Sequence, residues 1–222
     1  MRSVENLAAP AMTLHIFEHC PYCARTRMIF ALKTIPVELS VILEGDAETP
    51  IRLVGKKGVP ILIKADGTAM SESMEIVRYV DALIGPPVLT EGPREEIDTW
   101  VKAANPIISK LAVPRMTRSD FKENSTPASR AAFIARETAA FGDLDQLISD
   151  TPMLLAQLNE HLDRLETLLR QPVGFSWTDL VLFSMLRAIT IVRDATLPPK
   201  SLEFAHYMER VGGVALLTDR AI

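Results

Sequence analysis

Cys20 and Cys23 are the only cysteines in the 222-residue chain, and two residues separate them. A disulfide scaffold of a secreted protein uses more cysteines at wider spacing. A structural zinc site needs four ligands, and only His15 and His19 lie nearby to join this pair. Haem attachment requires a histidine straight after the second cysteine, where this chain has Ala24. A redox thiol pair remains. In disulfide exchange the nucleophile is a thiolate, so such a pair needs surroundings that favour the anion on one sulfur.

The neighbouring sequence supplies those surroundings. Residues 13–18 have strand composition and run straight into the first cysteine. From Pro21 to Lys33, the apolar residues Ala24, Met28, Ile29 and Leu32 recur at helical spacing, with Pro21 at a first-turn position that tolerates its missing N–H. Cys20 is therefore predicted at the mouth of a helix, facing unpaired N–H groups and the positive end of the macrodipole. Cys-x-x-Cys thiols in this setting have pKa values of about 3.5–7.5. Cys23 lies about one turn further on, within reach of Cys20. Cys20 is assigned as attacker and Cys23 as resolver.

The elements around this motif fall into two groups. Residues 37–43 form a continuous β-branched and Leu-rich run, predicted as a buried strand parallel to the first. Residues 49–54 read as a short helix and 58–63 as a third strand opened by Pro60. Asp66-Gly67 reads as a hairpin turn, 68–70 as a fourth strand and 71–83 as a helix. Residues 12–84 are thus a βαβ unit followed by ββα. Residues 85–93 hold three prolines and two glycines and read as a linker. Residues 94–222 form an all-α domain of about five helices, predicted at 95–111, 127–141, 151–169, 177–193 and 201–211. The fold class is α/β plus all-α.

Charge and hydropathy narrow the function. With 24 Lys+Arg against 28 Asp+Glu, the net charge of −4 leaves no basic excess for nucleic acid. No run approaches the ~18 apolar residues of a membrane span. Residues 1–11 lack an apolar signal core, and Met12 is a plausible start. A cytoplasmic globular protein is expected.

Cys20-Pro21-Tyr22-Cys23 resembles the active-site tetrapeptide of glutaredoxins. Val59-Pro60 resembles the Val-cisPro of the thioredoxin fold, and Ser71-Glu72-Ser73 resembles the γ-glutamyl-binding turn of glutathione transferases. A thioredoxin-like unit, a Pro-rich linker and an all-helical second domain are similar to the transferase architecture. Together with the dithiol, the chain resembles the transferase-shaped glutaredoxins of bacteria over residues 12–222. The resemblance implies a glutathione-dependent dithiol oxidoreductase acting on disulfide-containing or glutathionylated proteins, with glutathione as co-substrate, no bound metal, and a monomeric state. It implies a cis Val59-Pro60 bond whose backbone pairs with glutathione, and α-amino and γ-glutamyl carboxylate contacts from Glu72 and Ser73. Tyr22 would cover the sulfurs, and Arg52, Lys56 and Lys57 are candidates for the glycyl carboxylate. The sequence departs from many small glutaredoxins in carrying Glu18 where they have a Lys.

Each of these residues also has a plainer reading. Pro60 can be an edge-strand proline, Ser73 a helix N-cap, and Arg52, Lys56 and Lys57 a solvated surface. Arg25 and Arg27 read as a solvated helix face, the histidines as structural or surface groups, and Ser176–Asp179 as a capping box. Rival functions are a Cys-type glutathione transferase or dehydroascorbate reductase, which typically lack the second cysteine, a non-catalytic transferase-like interaction module, and an iron–sulfur carrier.

Overall fold

The computed structural model describes residues 12–170 and 174–222. The expectations for residues 1–11 lie outside the described residues.

The first half of the chain runs β1 (Thr13–Ile16), α1 (Pro21–Leu32), β2 (Glu38–Val41), α2 (Glu48–Val54), β3 (Ile61–Ile63), β4 (Ala69–Ser71) and α3 (Ser73–Leu83). The strands form one mixed sheet in the order β2-β1-β3-β4, with β1 and β2 parallel and the other two pairings antiparallel. Period-two alternation turns Leu14 and Ile16 inward on β1, where they join Leu62 and α1 in the core. The reading of 37–43 as a buried strand is corrected. β2 lies at the sheet edge with one strand neighbour, and Leu39 and Leu43 are exposed. Its continuous apolar run mimicked a strand covered on both faces.

The second half holds α4 (Glu95–Met116), α5 (Pro127–Phe141), α6 (Leu144–Ser149), α7 (Thr151–Leu168), α8 (Trp177–Ile189) and α9 (Pro199–Gly212). Among the described residues this is one helix more than the sequence predicted. The six-residue α6 is too short to show a period. α4 also runs five residues past the predicted end at Leu111, continuing through Pro114 after already passing Pro106.

α8 is the axle of the molecule. Leu180, Leu182, Phe183, Leu186 and Ile189 are buried on several sides of it, and it packs against both α4 and α1. Because α1 is held between α3 on one side and α8 and α9 on the other, it is buried nearly all round. This overturns the solvated-face reading of Arg25, which is buried with its Nε 3.1 Å from Ser184 Oγ on α8. Arg27 is half-buried.

The linker is stitched down. The Asp81 carboxylate accepts from the Val88 and Leu89 N–H groups at 2.8 and 3.4 Å. Lys33 donates to the Pro86 carbonyl, and Leu89 bridges to Phe175.

Candidate active site

The redox pair sits where the sequence placed it. Cys20 is the N-cap of α1, in extended conformation, and Pro21 is the first helical residue. Both thiols are free. Cys20 is 8% exposed and Cys23 fully buried, so Cys20 is the sulfur that an incoming disulfide can reach. The Cys20 pKa is lowered to about 7, chiefly by a hydrogen bond from the Cys23 thiol. Burial opposes this, while His19 and the backbone N–H groups of Cys23 and Tyr22 at the helix mouth add to it. Cys23 moves the other way. Burial raises its pKa well above the ordinary thiol value, and its bond to Cys20 adds to the rise.

Cys20 opens onto a cavity of about 310 Å³ between the two halves. Phe17, Cys20, Tyr22 and Val59 line one wall, and Ile108, Phe133 and Met185 line the opposite one. Tyr22 is 53% exposed, and its ring lies under the Arg25 guanidinium at 4.8 Å. The Val59-Pro60 peptide is cis. The β3–β4 register pairs Ile61 with Ser71, so the next residues outward, Pro60 and Glu72, lie side by side. This brings Val59, Pro60, Glu72 and Ser73 to one end of the sheet.

Ser73 is not the N-cap of α3. Glu72 takes that position at φ +73°, without a side-chain capping bond, and Ser73 is the first helical residue. The start of α3 therefore keeps its N–H groups for another partner. Lys56 forms an ion pair with Glu72 beside this end. Arg52 stands apart. It is exposed on α2, acts electrostatically on His15 and Asp46, and is absent from the cavity lining. Lys57 is exposed and also outside the cavity.

Sequence reading missed what the helical half contributes. Glu123, in a short 3-10 turn between α4 and α5, reaches the residue before Cys20. Its Oε1 accepts from the His19 N–H at 3.0 Å and lies 2.7 Å from His19 Nδ1. The His19 ring stacks on Phe133 and Phe17 and tilts against Phe121. Arg187 of α8 is buried and donates to the carbonyls of Glu18 at 3.0 Å and Ala215 at 2.7 Å, with a longer contact to that of His19. Burial pushes its pKa down to about 10. Arg136 of α5 grips Glu44 through two bonds of 2.6 and 2.9 Å. No local pattern in the sequence announces these partners, since His19 and Glu123 are 104 residues apart.

A larger open depression of about 820 Å³, lined by Arg170, Lys200, Tyr207 and Arg210 among others, shares no residue with the thiol site. Among the described residues, no helix is long and apolar enough to cross a membrane.

A four-stranded mixed sheet, an all-helical second half and a dithiol at the cavity between them define a thiol protein of the glutathione-transferase fold. Comparison with known proteins narrows this. The family described as glutaredoxin 2, C-terminal domain, matches residues 96–221, and the glutathione S-transferase N-terminal domain matches residues 14–88. Glutaredoxin 2 of Escherichia coli K12 is 41% identical over 215 residues, covering 95% of this chain and 100% of its own. The crystal structure of glutaredoxin 2 from Salmonella typhimurium in complex with glutathione superposes with a TM-score of 0.93. It is 39% identical and covers 96% of this chain and 99% of its own. A glutathione transferase from Phanerochaete chrysosporium, 16% identical with a TM-score of 0.70 over 92% of this chain and 98% of its own, shares the fold. The chain belongs to the glutaredoxin 2 family.

Proposed function

We infer that the protein is a glutathione-dependent dithiol–disulfide oxidoreductase, with Cys20 as nucleophile and Cys23 as resolving thiol. The observation that carries this is the opposite bias of the two sulfurs, one favoured as thiolate and reachable, the other buried and held protonated. The Cys20 thiolate attacks one sulfur of a substrate disulfide. A bond forms between them, the substrate disulfide breaks, and the departing thiolate takes up a proton. Cys23 then loses its proton and attacks the Cys20 sulfur, releasing the reduced substrate and leaving a Cys20–Cys23 disulfide. Two glutathione molecules restore the dithiol in two exchanges and leave as glutathione disulfide. A glutathione mixed disulfide needs only the Cys20 step, because a second glutathione can release the enzyme.

Glutathione is bound at the sheet end beside Cys20 in this reading. The Val59 backbone pairs with its peptide as an added strand, against the turn made with Pro60. The open start of α3 at Ser73 takes the γ-glutamyl carboxylate, and Glu72 takes the α-amino group. Tyr22 offers its exposed hydroxyl. Lys56 stands nearest this end of the sheet through its pair with Glu72, although like Arg52 and Lys57 it is outside the cavity lining. The Salmonella relative's complex with glutathione supports this ligand. The family matches over 14–88 and 96–221 support a division into domains at 12–84 and 94–222 around the 85–93 linker. A dithiol reductant works where glutathione is kept reduced, which favours the cytoplasm. We take the working unit as a monomer that receives disulfide-bonded or glutathionylated proteins at the cavity mouth.

Wild type, Cys20→Ser and Cys23→Ser assayed side by side test the reading. Cys20→Ser should be inactive on every substrate. Cys23→Ser should keep activity on a glutathionylated small substrate and lose most activity on a protein disulfide, where the mixed intermediate is best resolved by a tethered thiol. Full activity of Cys23→Ser on both would replace the dithiol reading with a Cys-type transferase.

A further inference from the structure

We propose that Glu123 is a positioning residue of the redox site, which from the helical half of the molecule sharpens the difference between the two cysteines through its hold on His19. The inference rests on the dithiol reading above and assigns part of its asymmetry to a particular group.

The geometry is that of a carboxylate committed to the thiol site. Glu123 is fully buried, yet one oxygen alone serves both the backbone and the ring of His19. Its other oxygen, Oε2, is buried without a hydrogen-bond partner. A buried carboxylate with one oxygen left unpartnered is costly for stability. Its carboxyl is nevertheless held below the ordinary value, because the His19 donors outweigh burial. The residue therefore carries a fixed negative charge beside the motif.

That charge reaches the two sulfurs by different routes. It fixes His19 Nδ1 as the donor, and so the tautomer and tilt of a ring that lines the cavity together with Cys20. His19 favours the Cys20 thiolate. The same charge acts directly on Cys23 and disfavours a second anion there. Glu123 thus adds, after burial and the Cys20–Cys23 bond, to the separation by which paired titratable groups receive separate roles.

Other charges face the same volume. Arg27, Arg25 and Glu18 lie on or beside α1, and Glu44 comes from the loop after β2. Arg136 and Glu137 come from α5, Arg187 from α8, and Arg220 and Lys122 flank Glu18. Glu44 is occupied by Arg136, and Glu18 by Arg220 and Lys122. Among these carboxylates, Glu123 is the one bonded to His19.

The test is alkylation of each cysteine across pH in the full chain, with the modified sulfur located by mass mapping, in wild type, Glu123→Gln and Glu123→Asp. Glu123→Gln keeps the shape and an acceptor oxygen but removes the charge. It should slow Cys20 about threefold below neutral pH, the effect of a half-unit rise in its pKa, and speed Cys23, while Glu123→Asp restores part of the difference. A folded Glu123→Gln whose two thiols match wild type, or shift in the same direction, overturns the proposal. If Glu123→Gln does not fold, His19→Asn decides. It keeps an N–H for Glu123 and removes the imidazole, so Cys20 should slow while Cys23 stays slow. A faster Cys23 in that variant, or an unchanged Cys20, overturns the proposal. Wild type in which Cys23 reacts first would instead refute the dithiol assignment itself.

Discussion

Two pairs of helix starts in this molecule are built differently. At α5 and α8 the first turn is closed by a capping box. Thr126 and Ser129 exchange bonds at one, and Ser176 and Asp179 at the other. At α1 and α3 no side chain closes the turn. Cys20 caps α1 with its thiol outside any disulfide, and Glu72 caps α3 at a positive φ with its carboxylate turned to Lys56. The closed starts satisfy their N–H groups from within and serve the fold. The open starts leave N–H groups without a side-chain partner, available to the Cys20 thiolate at α1 and, in the proposed reading, to a ligand carboxylate at α3. A capping side chain at α1 would compete with the Cys20 anion for the same donors.

Substitutions at the closed and open starts should therefore separate stability from chemistry. The largest stability effect is expected at Asp179, which is buried, completes the α8 box and pairs with Arg94 of the α4 N-cap. Asp179→Ala should cost about 3 kcal/mol in urea unfolding, with turnover per folded molecule unchanged. Ser176→Ala should cost about 1 kcal/mol and also spare turnover. Glu72→Gly relieves a backbone conformation unfavourable to a side chain and should stabilise by about 1 kcal/mol. Unlike the α8 changes, it should raise the KM for glutathione. Lost turnover in folded Ser176→Ala, or an unchanged KM in Glu72→Gly, would break the distinction.

The smallest effect is the pH dependence of stability. The folded Cys20 pKa, about 7, lies below that of the unfolded thiol. Its contribution to stability is fully present above about pH 8.5 and is lost as pH falls through about 7. The unfolding midpoint of the reduced protein should rise between these values, and the rise should be absent in Cys20→Ser.

How much of this could be read in the sequence depends on distance along the chain. The strand, Cys20, Pro21 and α1 are contiguous, so spacing alone placed the thiols at the helix mouth. The box at Ser176 and Asp179 was equally local. The cis form of Val59-Pro60 was expected from family resemblance rather than from any physical signal in the residues. The edge position of β2 and the burial of Arg25 depend on what packs alongside, which a run of residue types does not report. The roles of Glu123, Arg187 and Arg136 depend on the helical half folding back over the motif, and in the sequence each is an ordinary charged residue on a helical or loop segment. Ser73 shows a mixed outcome. Its place at the start of α3 is local, but the N-cap falls one residue earlier than Ser73, on Glu72, where the chain turns through a left-handed conformation and no side chain closes the turn.

The most direct test of the account is the reactivity of the two thiols in reduced wild-type protein, alkylated over a range of pH and mapped sulfur by sulfur. Cys20 should react first, with half its limiting rate near pH 7, while Cys23 remains protected until well above the range of an ordinary thiol. Equal reactivity, or Cys23 reacting first at neutral pH, would contradict it.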